Sequence, residues 1–158
     1  MKAKLLLLTV FLTIATIAMG QSNFQKYINA ARQGNAVAQG YIGLSYYYGD
    51  GVTKDLAQAI YWWRKGAEQG NAYSQYCLGY CYYMGEGVAK NYAQTAYWWH
   101  KAAEQGNVKA QLNLGVCYEK GQGVPKDRQK AIELFRKSAE QGSKKAIENL
   151  KRLGEWTE

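Results

Sequence analysis

The sequence predicts an all-α solenoid built from three helical hairpins of 36 residues each, with a single helix flanking them at either end. Three observations predict it. Gly34, Gly70, Gly106 and Gly142 recur at a fixed 36-residue interval, inside Ala-rich punctuation such as "AEQGN". Residues 35–70 and 71–106 are identical at 20 of 36 positions, and residues 107–142 keep the same skeleton. Within each unit, two apolar patterns of helical period are separated by a Gly-x-Gly-Val segment. A fixed period of this length marks a repeat architecture, because a lone hairpin leaves an apolar stripe that only neighbouring hairpins can cover.

The elements follow in order. Residues 1–20 form a targeting segment: Lys2 and Lys4 precede an apolar run from Leu5 to Ala18, and Ala18-Met19-Gly20 places small residues at a cleavage site. The run is short for a membrane span, and a retained anchor is the alternative reading. Cleavage after Gly20 leaves residues 21–158 as one repeat domain, of which 21–34 and 143–158 are partial units. The expectation is an exported chain, periplasmic or secreted, with no integral membrane span once cleaved. Phe24 to Gln33 reads as a lone helix of the second type, with Ser22 and Gln25 as its capping box.

In the full units, Asn71 reads as an N-cap, since its side chain can accept from an unpaired backbone N–H. Gln75, Leu78, Gly79 and Tyr82 then share one helix face, and Gly85 and Gly87 end the helix. Asn91 with Gln94, and Asp55 with Gln58, are capping-box pairs opening the second helix; Asp127 with Lys130 keeps the cap alone. Apolar positions at 95/96, 98/99 and 102/103 supply that helix's stripe. Gly43, Gly79 and Gly115 sit mid-helix at a cost of roughly 1 kcal/mol each, which predicts close approach of the partner helix at Ala59, Thr95 and Ala131. Ser143 to Leu153 reads as a lone first-type helix, where Lys151 replaces that glycine and suits a solvated end.

Charge and reactive side chains exclude several function classes. The formal charge of +8 falls to +6 without Lys2 and Lys4, and both signs are interspersed along the chain. That pattern describes a solvated surface rather than a nucleic-acid footprint. His100, the single histidine, aligns with Arg64 and Arg136 and reads as a basic surface residue. Glu68, Glu104 and Glu140 recur in every unit, whereas a catalytic carboxylate needs a singular environment. No Ser-x-x-Lys or Lys-Thr-Gly pattern occurs, and the Gly-x-Gly-Val segments follow helices rather than strands. Cys77, Cys81 and Cys117 lack metal-site spacing. Equivalent positions on stacked helices lie about 8–10 Å apart, beyond the roughly 7 Å a disulfide spans. The three thiols therefore read as small apolar residues packed between helices, and no cofactor or metal is expected.

Aromatic residues are the informative excess: 14 Tyr and 5 Trp. Tyr46, Tyr82 and Tyr118 recur and read as core. The last turn of the first helix varies, from Tyr47-Tyr48 to Tyr83-Met84 to Glu119-Lys120, and Tyr76 and Tyr80 replace Gly40 and Leu44 in the second unit. Tyrosine offers contact area at low entropy cost with a hydrogen-bonding tip. Two readings fit these eight residues: Tyr47, Tyr48, Tyr76, Tyr80, Tyr83, Met84, Glu119 and Lys120 line a concave groove for an extended peptide or loop of a partner protein, or the tyrosines close the helix ends beneath the Gly-x-Gly loops.

The pieces "AQGYIGLSYYYGDGVTKDLAQAIYWWRKGAEQG", "SQYCLGYCYYMGEGVAKNYAQTAYWWHKAAEQG" and "AQLNLGVCYEKGQGVPKDRQKAIELFRKSAEQG" resemble the Sel-one-like repeat family, a relative of the tetratricopeptide repeats. The resemblance implies a right-handed α-α superhelix with first helices lining its concave face, and a non-enzymatic scaffold for protein–protein interaction. One exported branch, the cysteine-rich proteins of Helicobacter, carries a β-lactamase or penicillin-binding attribution and pairs cysteines eight residues apart. Here the spacings are four and 36, so that disulfide ladder is absent. An envelope enzyme of that kind, or a cell-wall glycan binder using exposed aromatics, is the alternative function.

Overall fold

The computed structural model describes residues 18–21 and 23–156; the targeting segment up to residue 17 and the Ser22 side of the first capping box lie outside these. Every regular element among the described residues is helical. Helical residues 23–32 form α1, and 18–21 are helical as well. Then come α2 (Ala36–Tyr48), α3 (Leu56–Glu68), α4 (Ala72–Met84), α5 (Tyr92–Glu104), α6 (Val108–Lys120), α7 (Arg128–Glu140) and α8 (Lys144–Leu153). The order of one helix, three pairs and one helix is the predicted one. The chain divides into two compact units, Met1–Gly66 and Ala67–Glu158.

The first unit is centred on Phe24, Ile28 and Ala31 of α1, Ala38 and Ile42 of α2, and Trp62 of α3. In the second, α4 packs on α5, α5 on α6, α6 on α7 and α7 on α8. One of its clusters joins Ala96, Trp99 and Ala102 of α5 to Leu114 and Cys117 of α6; another joins Ile132 and Phe135 of α7 to Ala146 and Leu150 of α8. Lys151, at the place of the mid-helix glycines, is exposed on α8.

The caps explain where each helix begins and stops. Asn35, Asn71 and Asn107 accept from the backbone N–H of Ala38, Ser74 and Ala110 at 2.8–2.9 Å. Gly49, Gly85 and Gly121 close the same helices in the left-handed conformation, at φ 79°, 78° and 71°. Asp55, Asn91 and Asp127 cap the second helices by accepting from residues 58, 94 and 130. The predicted capping boxes are only half formed, however. The backbone N–H of Asp55 and Asn91, which a box would pass to Gln58 and Gln94, donates instead to the carbonyls of Tyr46 and Tyr82 at 2.9 Å. That bond ties the end of each inter-helix loop to the last turn of the first helix.

The mid-helix glycines also correct an expectation. A Cβ on Gly43, Gly79 or Gly115 would meet the ring of Trp63, Trp99 or Phe135, not Ala59, Thr95 or Ala131. The aromatic ring of the second helix fills the space a Cβ would take on the bare backbone of the first. Its indole N–H, where there is one, donates to a carbonyl on that backbone: Trp63 to Gly40 at 3.2 Å, Trp99 to Tyr76 at 3.1 Å. The cost of each glycine is thus offset by burial of a large aromatic ring in its hairpin.

A second device holds consecutive hairpins together. Gln75 and Gln111 are almost fully buried, yet each donates from Nε2 to a carbonyl eight residues earlier, Ala67 and Ala103. Their Oε1 atoms accept at 2.8 Å from Gln105 and Gln141, the glutamines of the following Gln-Gly hinge. Both ends of the buried amide are therefore occupied, and the hinge is pinned to a helix 30 residues upstream.

Candidate functional site

The eight sequence-predicted residues fall into three environments. Tyr47 is half-buried, with its ring 5.4 Å from Trp63 in a tilted contact, and Tyr83 stands in the same relation to Trp99 at 5.3 Å. Tyr76 also stacks on Trp99, with centroids 6.4 Å apart, and Tyr80 packs against the α5–α6 cluster. These four rings brace the glycine-seated aromatics. Tyr48 and Met84, at the helix ends, are the freely exposed pair at 70 % and 44 %. Glu119 and Lys120 hold the equivalent turn of α6, where Glu119 is gripped by Arg152 at 2.8 Å and Lys120 is exposed.

In the first unit the exposed ring belongs to a larger arrangement. A cleft of about 490 Å³ is lined by Tyr27 of α1, Tyr41, Leu44, Ser45 and Tyr48 of α2, and Asp50 of the loop beyond. Tyr41 is 47 % exposed and stacks on Tyr27 with centroids 4.7 Å apart. The sequence reading missed both. Tyr41 aligns with Cys77 and Asn113, so its unit-to-unit variability was the available signal.

In the second unit a cleft of about 690 Å³ lies among the end of α6, the loop after it, the start of α7 and the end of α8. Its walls are Val116, Lys120, Lys126, Arg128, Asn149 and Arg152, with Glu119 as the acidic side chain on them. A smaller depression of about 290 Å³ between α5 and α7 carries His100, Glu104, Lys130, Glu133 and Lys137. His100 is exposed and 3.5 Å from Glu104, one helical turn away on the same face.

The cysteines are buried free thiols. Burial pushes Cys77 and Cys81 up to about 12 and Cys117 to about 11, so each is held as the neutral thiol at physiological pH. Among the described residues no group of His, Cys, Asp and Glu could hold a metal ion, and no helix is long and apolar enough to cross a membrane.

The Sel1 repeat pattern matches residues 36–71, 72–107 and 108–143, one residue on from the 36-residue periods of the sequence. Among solved structures, a protective antigen of uropathogenic Escherichia coli strains with an SLR fold is 40 % identical, at a TM-score of 0.77. The match covers 83 % of this chain and 29 % of that one. A Sel1 repeat protein from Oxalobacter formigenes is 36 % identical at a TM-score of 0.79, with 85 % and 56 % covered. The chain thus spans well under two thirds of either protein. Cysteine-rich protein B of Helicobacter pylori, at 23 % identity and a TM-score of 0.67 over 82 % and 96 %, shares the fold alone. No curated protein matches. Three matched repeats, with solved relatives of the same hairpin architecture, place this chain in the Sel1 repeat family.

Proposed function

We propose that the protein is an exported interaction scaffold that takes up an extended peptide or loop of a partner protein, with the aromatic cleft of the first unit as the receiving surface. Sel1 repeats are typically protein-interaction modules, which sets the class. The observation that carries the reading is the Tyr27–Tyr41 stack beside Tyr48, whose ring is the most exposed large hydrophobic group in the first repeat. Rigid amphipathic rings around a concave opening suit a peptide, which offers both apolar side chains and backbone polar groups. The likeness to the Helicobacter protein brings no activity with it, since that likeness is one of fold.

Tyr48→Ala is the sharper test than changes at Tyr47 or Tyr83, which lean on the core tryptophans. We expect it to weaken partner capture by about tenfold or more, the scale of an interface tyrosine, while stability shifts by about 1 kcal/mol or less. Tyr61→Ala, another exposed tyrosine but on α3, is the control and should leave capture unchanged. Affinity purification from the native envelope, quantified by mass spectrometry, reads the difference. Equal recovery with wild type and Tyr48→Ala sinks the aromatic cleft.

Export rests on residues 1–20. Cell fractionation followed by N-terminal sequencing should find the mature chain outside the cytoplasm, beginning at Gln21. A chain retained in the cytoplasm with Met1 or Lys2 at its start refutes this part of the reading.

A further inference from the structure

The second unit's cleft differs in kind from the aromatic one, and its chemistry follows from what the third repeat replaced. In the first repeat, Lys54 lies over the ring of Tyr47 at 5.8 Å; in the second, Lys90 lies over Tyr92 at 6.0 Å. The third-repeat equivalent is Lys126. Where the first repeat has Tyr47 the third has Glu119, and where the second has Tyr92 the third has Arg128. Both aromatic resting places are gone. The new carboxylate pairs with Arg152 from α8 at 2.8 Å rather than with Lys126. Lys120 replaces Tyr48 and Met84 on the same rim. The outcome is a concave site with two exposed ammonium groups, Lys120 and Lys126, that make no ion pair among the described residues.

One arginine of this wall, Arg128, shows which ligand chemistry it favours. Arg128 donates from Nη1 to the Glu155 carboxylate at 3.1 Å and from Nη2 to the Leu153 carbonyl at 2.9 Å. Arg136 takes the other oxygen of Glu155 at 3.0 Å. The chain's own segment after α8 is thus held as an acidic peptide would be, by a carboxylate and a backbone carbonyl together. Beside it, Val116 offers apolar surface and Asn149 an amide.

We infer that the cleft between α6, the start of α7 and α8 is a second binding surface, selective for an acidic peptide segment whose carboxylates pair with Lys120 and Lys126. The inference rests on the scaffold reading for the ligand being a peptide, and on this cleft alone for its charge. A peptide fits better than an anionic bilayer, since the cations sit in a recess with apolar and amide walls, which a planar surface does not enter. Paired in a recess, the two lysines should give an affinity that falls as salt rises.

The test uses the full chain and a fluorescein-labelled octapeptide alternating Glu with Gly and Leu, against the same peptide with Gln for Glu. Fluorescence anisotropy at 50 and 300 mM NaCl reads binding. We expect the Glu peptide to bind at least tenfold tighter than the Gln peptide at low salt, and to lose most of that advantage at high salt. Lys120→Gln with Lys126→Gln should abolish the discrimination. Both side chains are exposed, so the double variant should keep the wild-type thermal melt. Lys130→Gln, on α7 outside this cleft, should bind as wild type does. Tyr48→Ala should leave the Glu peptide's affinity unchanged, so failure of the aromatic cleft and failure of this one are separable. The inference is overturned if the Gln peptide binds equally, if the double variant binds as tightly as wild type, or if phosphatidylglycerol vesicles compete fully at matched charge.

Discussion

Trp99→Ala is expected to cost about 3–5 kcal/mol, the scale of emptying a fully buried tryptophan site. The ring is 2 % exposed and lies over Gly79, so the space it vacates is bounded on one side by backbone that cannot move in to fill it. Tyr76 and Tyr83 lose the ring each leans on, and Leu114 and Cys117 in the next helix lose a wall of their cluster. Trp99→Phe provides the matched comparison. The third repeat already uses Phe135 over Gly115, so a six-membered ring suffices to cover the glycine. What Phe forfeits is the N–H to the Tyr76 carbonyl, worth about 1 kcal/mol. Urea unfolding followed by far-UV circular dichroism should order the proteins as wild type, Trp99→Phe, then Trp99→Ala, with the larger step at alanine. Equal losses for both variants would mean that the hydrogen bond, not the packed ring, holds the hairpin.

The hairpin order was legible in the sequence because its causes are local and repeated. Asn at residue 71 followed by an apolar face, glycine at 85, and Asn91 before the next apolar face each act within one helical turn, so reading along the chain finds them. What the chain order hid are the contacts made about 20 or 30 residues away. Gly79 announced a close approach, but the atoms nearest a Cβ there belong to the Trp99 ring rather than to Thr95, because the long side chain reaches back across the hairpin. The Gln of the Gln-Gly hinge looked like punctuation, whereas Gln105 completes the hydrogen bonds of a buried amide 30 positions earlier. The candidate surfaces were legible only where units differ. Variation at positions 47, 48, 119 and 120 singles out the last turn of the first helix, yet periodicity does not tell whether a variable tyrosine points to solvent, as Tyr48 does, or onto a tryptophan, as Tyr83 does. Arg128 and Arg152 were missed for a related reason: one opens a second-type helix and the other ends α8, so only the folded chain brings them to one cleft.

Gly123→Ala is expected to be a severely damaging single-methyl change in a loop, costing about 2–5 kcal/mol from two additive sources. Gly123 has φ 73°, where an alanine pays about 1–2 kcal/mol for its Cβ. That Cβ would also collide with the Tyr92 carbonyl and lie 2.8 Å from the Ala93 nitrogen. Both are backbone atoms at the start of α5, so no side-chain rotation relieves them, and overpacking of that kind adds roughly 1–3 kcal/mol. Gly51 (φ 72°) in the first unit likewise abuts backbone, that of Gly20, while Gly123 docks on the start of α5 and so does more than end a helix. Gly106→Ala isolates the first source. Its φ is 83°, but nothing lies within 4 Å of the site a Cβ would take, so only the conformational cost of about 1–2 kcal/mol remains. Thermal and urea melts of the two variants should differ by the steric part alone, with Gly123→Ala the less stable. Identical destabilisation at both positions would show that the loop can withdraw from α5 at no cost, and that neighbouring hairpins are held by their helix faces without this contact.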